Sequence, residues 1–169
     1  MALAVVLSGR KEYTEADPLK IRLEEGGHEI VGYTEYGYHY KAVRVTCSHI
    51  TFVGKGKNQT TIRGGFNVNN QQHVKFEELA ITNPAHGYVG LWLTGSETTV
   101  DVLKCVVKEC RSGGMFVQGG ATVTATQCDF MENGRDGVSG NGANTKAILH
   151  DCTMHHNGQD GLHAWGHAV

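Results

Sequence analysis

From about residue 50 to the end of the chain, apolar and polar residues alternate in short bursts. Val74-Lys75-Phe76, Leu91-Trp92-Leu93, Val100-Asp101-Val102, Met115-Phe116-Val117 and Val123-Thr124-Ala125 all place apolar side chains two apart. A period of two is that of a strand with one face turned to a core. The bursts are short and are separated by Gly, Asn and Ser. No helical period of ten or more residues follows residue 40, so alternating strand–helix units are excluded.

The bursts recur at a fixed distance. Gly90-Leu91-Trp92-Leu93-Thr94-Gly95 returns as residues 114–119, 137–142 and 161–166, in steps of 24, 23 and 24. A second series runs Leu79-Ala80-Ile81, Cys105-Val106-Val107, Cys128-Asp129-Phe130 and Cys152-Thr153-Met154. A third runs Val100-Asp101-Val102, Val123-Thr124-Ala125 and Ala147-Ile148-Leu149. Asn133-Gly134 and Asn157-Gly158 occupy equivalent turns, where residues tolerant of left-handed φ are expected.

Three short strands per coil of about 24 residues predict an all-β solenoid, a right-handed parallel β-helix. Leu91, Met115, Val138 and Leu162 form one inward ladder; Leu93, Val117, Gly140 and Ala164 form another; Leu79, Cys105, Cys128 and Cys152 form a third. The pattern extends back through Val74/Phe76, Phe66/Val68, Thr60/Ile62 and Ile50/Phe52, giving five or six coils. One domain, 1–169, is expected. Residues 1–16 are the helix candidate for an N-terminal cap, and 17–169 form the coils. Trp165-Gly166-His167-Ala168-Val169 follow one strand of a new coil with no amphipathic helix, so the C-terminal end is expected to be uncapped and to support homo-oligomers.

Composition sharpens this. The chain has 23 glycines in 169 residues and only 2 prolines, which excludes collagen, and its 40% hydrophobic content allows a core. Fourteen glycines fall in residues 85–169, mostly beside the repeated strands. Net charge is −2, which gives no field favouring nucleic acid or an anionic membrane. No apolar run approaches the ~20 residues that span a bilayer. Residues 2–7 are too short and lack the basic flank of an export signal. Five cysteines without a CxxC argue against a zinc ribbon or a disulfide framework. Together these favour a cytoplasmic or other intracellular location. The Asn58-Gln59-Thr60 sequon carries little weight.

The Asn-Gly-x-Asp-Gly turns at 133–137 and 157–161, the opening stretch 18–30, and His49–Gly54 followed by Thr61–Gly65 resemble the pectin-lyase-like superfamily. The nearest likeness is to its short carbohydrate-binding and sugar-hydrolase repeats, also found in F-box and scaffold proteins. The resemblance covers most of residues 18–169. It implies the β-helix fold but no single activity, because the fold hosts lyases, hydrolases, epimerases, adhesins and inert scaffolds. The paired Asp residues with Gly-His-Gly and a basic trio of its hydrolases, the Asp clusters and Arg base of its lyases, and the Asp-Pro-His run of its epimerases are not found. No family catalytic residue carries over.

The residues themselves offer five candidates. Trp92, Phe116, Ser139 and His163 form an outward row, with Trp165 on the same face level with Thr94, Gln118 and Asn141. Such aromatics, expected near the 4.8 Å strand spacing, suit stacking on sugar rings or docking a partner. Five of ten histidines (His150, His155, His156, His163 and His167) fall in the last twenty residues beside Asp151 and Asp160, in no known metal spacing. Asp136 and Asp160 stand one coil apart, near Asp129 and Glu132; their default role is a side-chain bond to their own turn, against calcium binding or acid–base work. Inward Cys105, Cys128 and Cys152 read as buried free thiols, whereas Cys110, at the turn position of Asn133 and Asn157, is expected to be the most exposed and reactive. Gly54-Lys55-Gly56-Lys57 lacks a phosphate-loop context and reads as a basic turn.

The leading expectation is a non-catalytic module that binds a carbohydrate or protein partner through Trp92, Phe116, Ser139, His163 and Trp165, with no metal or other cofactor. The alternatives are a carbohydrate-active enzyme drawing on His163, Asp136, Asp160 and Asp101, and a structural repeat segment of a larger protein. Ionisable groups converging in a groove on one strand face would favour the enzyme.

Overall fold

The computed structural model describes residues 2–3, 12–85 and 88–169. Its strands form three parallel sheets that wind as a right-handed β-helix. The first sheet orders Ala2–Leu3, Gly26–Ile30, Thr60–Arg63, Ala80–Thr82, Val106–Lys108, Asp129–Met131 and Thr153–His155. The second orders Leu19–Arg22, Ile50–Val53, Val74–Glu77, Thr99–Leu103, Thr122–Thr126 and Lys146–His150. The third orders Ala42–Val45, Gly65–Asn69, Leu91–Thr94, Met115–Gln118, Val138–Asn141 and Leu162–Trp165.

Registers follow the sequence period. Leu91 pairs with Met115, Met115 with Val138 and Val138 with Leu162. Val100 pairs with Val123 and Val123 with Ala147. Alternate residues therefore point inward along each strand, and the ladders named above stack through the core. Early coils are filled by Phe52, Phe66 and Phe76, whose ring centroids lie 4.9, 5.4 and 4.7 Å apart. Later coils are filled by Met115, Val117, Val123, Cys128 and Phe130, all fully buried. Leu162 keeps its inward register but is 54% exposed, because no further described coil stacks upon it. The last residues turn back, and Val169 bonds Thr145 and Ala147, starting another rung of the second sheet.

Corners recur as regularly as strands. Gly95 and Gly142 take left-handed φ of +97° and +94° where the third sheet turns into the second. The other glycine of each motif has a different reason. A Cβ on Gly114 would stand 2.6 Å from the Gly137 carbonyl oxygen and 2.8 Å from the Asn133 amide, so only hydrogen fits. The left-handed residue expected at Asn133 and Asn157 belongs instead to the residue before each. Glu132 and His156 have φ of +56° and +55°, as Glu109 does in the preceding coil. This frees the asparagine side chains to point inward.

They form a ladder. Asn133 Oδ1 accepts the Cys110 N–H, and Asn133 Nδ2 donates to Val107 O and to Asn157 Oδ1. Asn157 Oδ1 also accepts the Asn133 N–H, while its Nδ2 donates to Phe130 O. Cys110 occupies a rung of this ladder. It is buried, not exposed, and burial pushes its thiol up to about 12, which corrects the expectation of a reactive turn cysteine. Cys105 is likewise pushed up to about 12 by burial, and all five cysteines are free.

Two features concern the N-terminal part of the chain. Most of the helical cap at 1–16 lies outside the described residues, namely residue 1 and residues 4–11. The described parts are not helical: Ala2–Leu3 pairs in parallel with Glu29 and Ile30, and Thr14 bridges Asp17. An antiparallel hairpin, Tyr33–Glu35 with Tyr38–Tyr40, also interrupts the solenoid. The sequence pattern did not announce it. No helix among the described residues is long and apolar enough to cross a membrane.

Candidate functional site

The outward row lies on the third sheet. Trp92 pairs with Asn67 on one side and Phe116 on the other; Phe116 pairs with Ser139, and Ser139 with His163. The Trp92 and Phe116 rings meet edge to face at 5.9 Å, not side by side at the strand spacing. Trp165, one residue pair along the strand, folds back so that its ring stacks on Phe116 at 5.9 Å and 16°. It also lies 4.8 Å from the His163 ring. Ser139, expected on an open face, is buried.

A groove of about 500 Å³ runs beside this row. Val89, Trp92, Phe116 and Trp165 give it an apolar side. Ser112, Gly113, Arg135, Asp136 and Gln159, from the corners where the first sheet turns into the third, give the other, with Ser139 and His163 between. Arg135 and Gln159 fill the variable place in the two Asn-Gly-x-Asp-Gly turns and bond to each other through Nε and Oε1 at 3.2 Å. That place in the repeat is the signal that could have exposed them.

The same corners bring three candidate ionisable groups together. Asp136 is only 7% exposed. Its Oδ1 accepts the Asp160 N–H at 3.2 Å, a bond between coils rather than within its own turn. Its Oδ2 lies 3.8 Å from His163 Nδ1, and Asp160 Oδ2 lies 3.9 Å from that nitrogen. One donor atom from each residue falls within 4.8 Å of the others. Asp101 is not in this group. It projects from the second sheet and pairs with Lys75 at 3.7 Å.

Other candidates resolve separately. His155 and His156 face each other with Nδ1 atoms 2.7 Å apart, exposed on the first-sheet side. His150 ends a strand of the second sheet, and His167 lies in the final turn. Asp129 is tied to Lys57 Nζ at 2.5 Å and to Thr153 Oγ1 at 2.7 Å. Burial works to raise its carboxyl, but those two bonds outweigh it and hold the group below the usual range. The lysines of the 54–57 turn are neutralised: Lys55 faces Glu24 at 3.7 Å and Lys57 holds Asp129. An open hollow of about 540 Å³ lies beside this turn, and its Lys104 likewise faces Glu78 at 3.9 Å.

Beyond Asn67 the aromatic row continues onto the hairpin. The Tyr33 and Tyr40 rings stack at 5.1 Å, and Tyr40 meets Tyr88 at 5.7 Å. Asn67 Nδ2 donates to the Tyr33 hydroxyl at 3.0 Å, and Tyr88 donates to His39 O.

Comparison with known proteins is informative about fold. A family model described as "Right handed beta helix region" matches residues 37–166. A pectin methylesterase from Yersinia enterocolitica has a similar structure, with a TM-score of 0.64 at 17% identity. The match covers 88% of this chain and 53% of that protein, so the chain spans about half its length. No curated protein matches the sequence.

Proposed function

The chain belongs to the right-handed β-helix family, and on that premise we propose that its third-sheet groove binds a carbohydrate chain. The observation that carries this reading is the contiguous Trp92–Phe116–Trp165 surface, which forms one side of a groove whose other side is polar. A sugar ring has a C–H face and a hydroxyl edge. The rings take the first, and Arg135, Gln159, Asp136 and His163 can hydrogen-bond the second. The similar pectin methylesterase makes pectin and other uronans the first ligands to try.

The test is a glycan array followed by calorimetry. Trp92→Ala and Phe116→Ala should each weaken binding at least ~5-fold, since base- or ring-stacking contacts of this kind contribute on the order of 1–3 kcal/mol. Circular dichroism should be unchanged. Absence of glycan binding, or wild-type affinity in both variants, would remove the reading.

A second reading has one observation in its favour: Asp136 and His163, which line this groove, converge with Asp160. That is the arrangement from which a carbohydrate-active enzyme would draw acid and base. Asp101 drops out of that set, being on another sheet. Turnover of uronan or pectin polymers, lost in Asp136→Asn, would replace binding by catalysis as the function.

A further inference from the structure

The outward row of the third sheet begins two rungs before Trp92, with Arg44 and Asn67 in register ahead of it. Neither of these is open groove floor, because the hairpin 33–40 engages both. We propose that this hairpin closes one end of the groove, so that the protein binds a linear polysaccharide by its chain terminus and not along its length. The proposal rests on the carbohydrate reading of the groove and deepens it.

The contacts define the closed end. Arg44 is ion-paired with Glu35 of the hairpin, and its guanidinium lies 4.9 Å from the Tyr33 ring centre. Asn67 Nδ2 donates to the Tyr33 hydroxyl at 3.0 Å. Tyr88 holds the second strand of the hairpin, donating to His39 O and meeting the Tyr40 ring at 5.7 Å. Between Trp92 and these tyrosines the space shrinks from the groove of about 500 Å³ to a cleft of about 20 Å³, room for little more than one water molecule. A sugar chain running on past Trp92 would meet Tyr33, Tyr40 and Tyr88, which line that cleft. The other end of the row, at His163 and Trp165, is exposed.

The chemistry at the closed end suits a terminus. A terminal sugar keeps a free hydroxyl where an internal one has a glycosidic oxygen, which can only accept. The Tyr33 hydroxyl accepts from Asn67 and retains its own proton and a second lone pair, so it can bond a hydroxyl in either sense. The hairpin is also an addition to the coils and not a part of their ladder. It pairs only with itself, and a Cβ on Gly32 would stand 3.1 Å from Lys41 Cα, so the chain leaves and re-enters the coil at one point.

The experiment is calorimetric titration of the protein with homogalacturonan of two lengths, the second ~10-fold longer. The wild-type chain should show one site per polymer chain at both lengths. Excision of residues 33–40, which joins Gly32 to Lys41, should open the groove, and the number of sites per polymer chain should then rise with its length. Trp92→Ala should weaken both titrations, which ties them to this groove. A wild-type count that rises with polymer length would overturn end-binding and leave the carbohydrate reading intact. So would an excision variant that is folded by circular dichroism and still shows one site per chain. No binding of either polymer would overturn end-binding together with the uronan expectation. Should excision unfold the chain, the wild-type count decides.

Discussion

Replacing Asn133 by Ala tests whether the asparagine ladder, and not just the apolar core, holds the later coils together. The side chain is almost fully buried and makes three bonds, at 3.1 Å from Cys110 N–H, 3.2 Å to Val107 O and 3.1 Å to Asn157 Oδ1. Alanine leaves the Cys110 N–H without an acceptor in a place closed to water. That alone costs roughly 1–3 kcal/mol, and each of the other two bonds adds on the order of 0.5–1.5 kcal/mol. Val107 O and Asn157 Oδ1 soften the loss, since each can accept elsewhere. The net destabilisation should be about 2–4 kcal/mol. Equilibrium urea unfolding followed by far-ultraviolet circular dichroism measures it, with the midpoint shifting at constant slope. Asn157→Ala provides the gradient. Asn157 is only half-buried, so water replaces part of what is lost, and the cost should fall near about 1 kcal/mol. A loss below about 1 kcal/mol for Asn133→Ala, or an equal loss for both variants, would refute the reasoning.

The neighbouring glycine row should be as sensitive: Gly114→Ala forces a methyl against the Gly137 carbonyl and should cost about 1–3 kcal/mol in the same assay. Thiol labelling of the native chain should start at half-buried Cys152, with Cys105 and Cys110 reacting only on unfolding; early modification of Cys110, read by peptide mapping, would contradict the burial that raises its thiol to about 12. Asp129 has a carboxyl held below its ordinary value. Its stabilising effect is therefore present above the unfolded value near pH 4 and is lost as pH falls through the lower folded value. Lys57→Met should accordingly destabilise by no more than about 1 kcal/mol at pH 6, the pair being partly exposed, and by clearly less at pH 3. An equal effect at both values would show that the lysine acts through packing.

The coils were legible because burial enforces the period. Leu91, Met115 and Val138 must be apolar at matching positions, and Gly114 and Gly137 must lack a side chain, so the core writes itself into the chain every 24 residues or so. Cys110 was misread for a related reason. Its turn position suggested exposure, whereas that position is an inward rung whose usual occupant is an asparagine bonding to the coils beside it. Bonds between coils are not visible in local turn chemistry. The same blindness hid the Asp136–His163 approach, which joins a corner of one coil to a strand of the next. The hairpin 33–40 left no trace because it does not share the period and its two strands are only three residues each.

In-register stacking makes the molecule a one-dimensional lattice with a unit cell of about 24 residues. Excision of residues 91–114 would join Gly90 to Met115 with each strand still meeting a partner, and would set Phe116 opposite Asn67 where Trp92 now stands. Insertion of a cell would do the reverse. The groove can thus be lengthened or shortened only in integral steps of about 4.8 Å, the spacing of neighbouring strands. Duplication and loss of whole cells tune its reach without redesign of any corner.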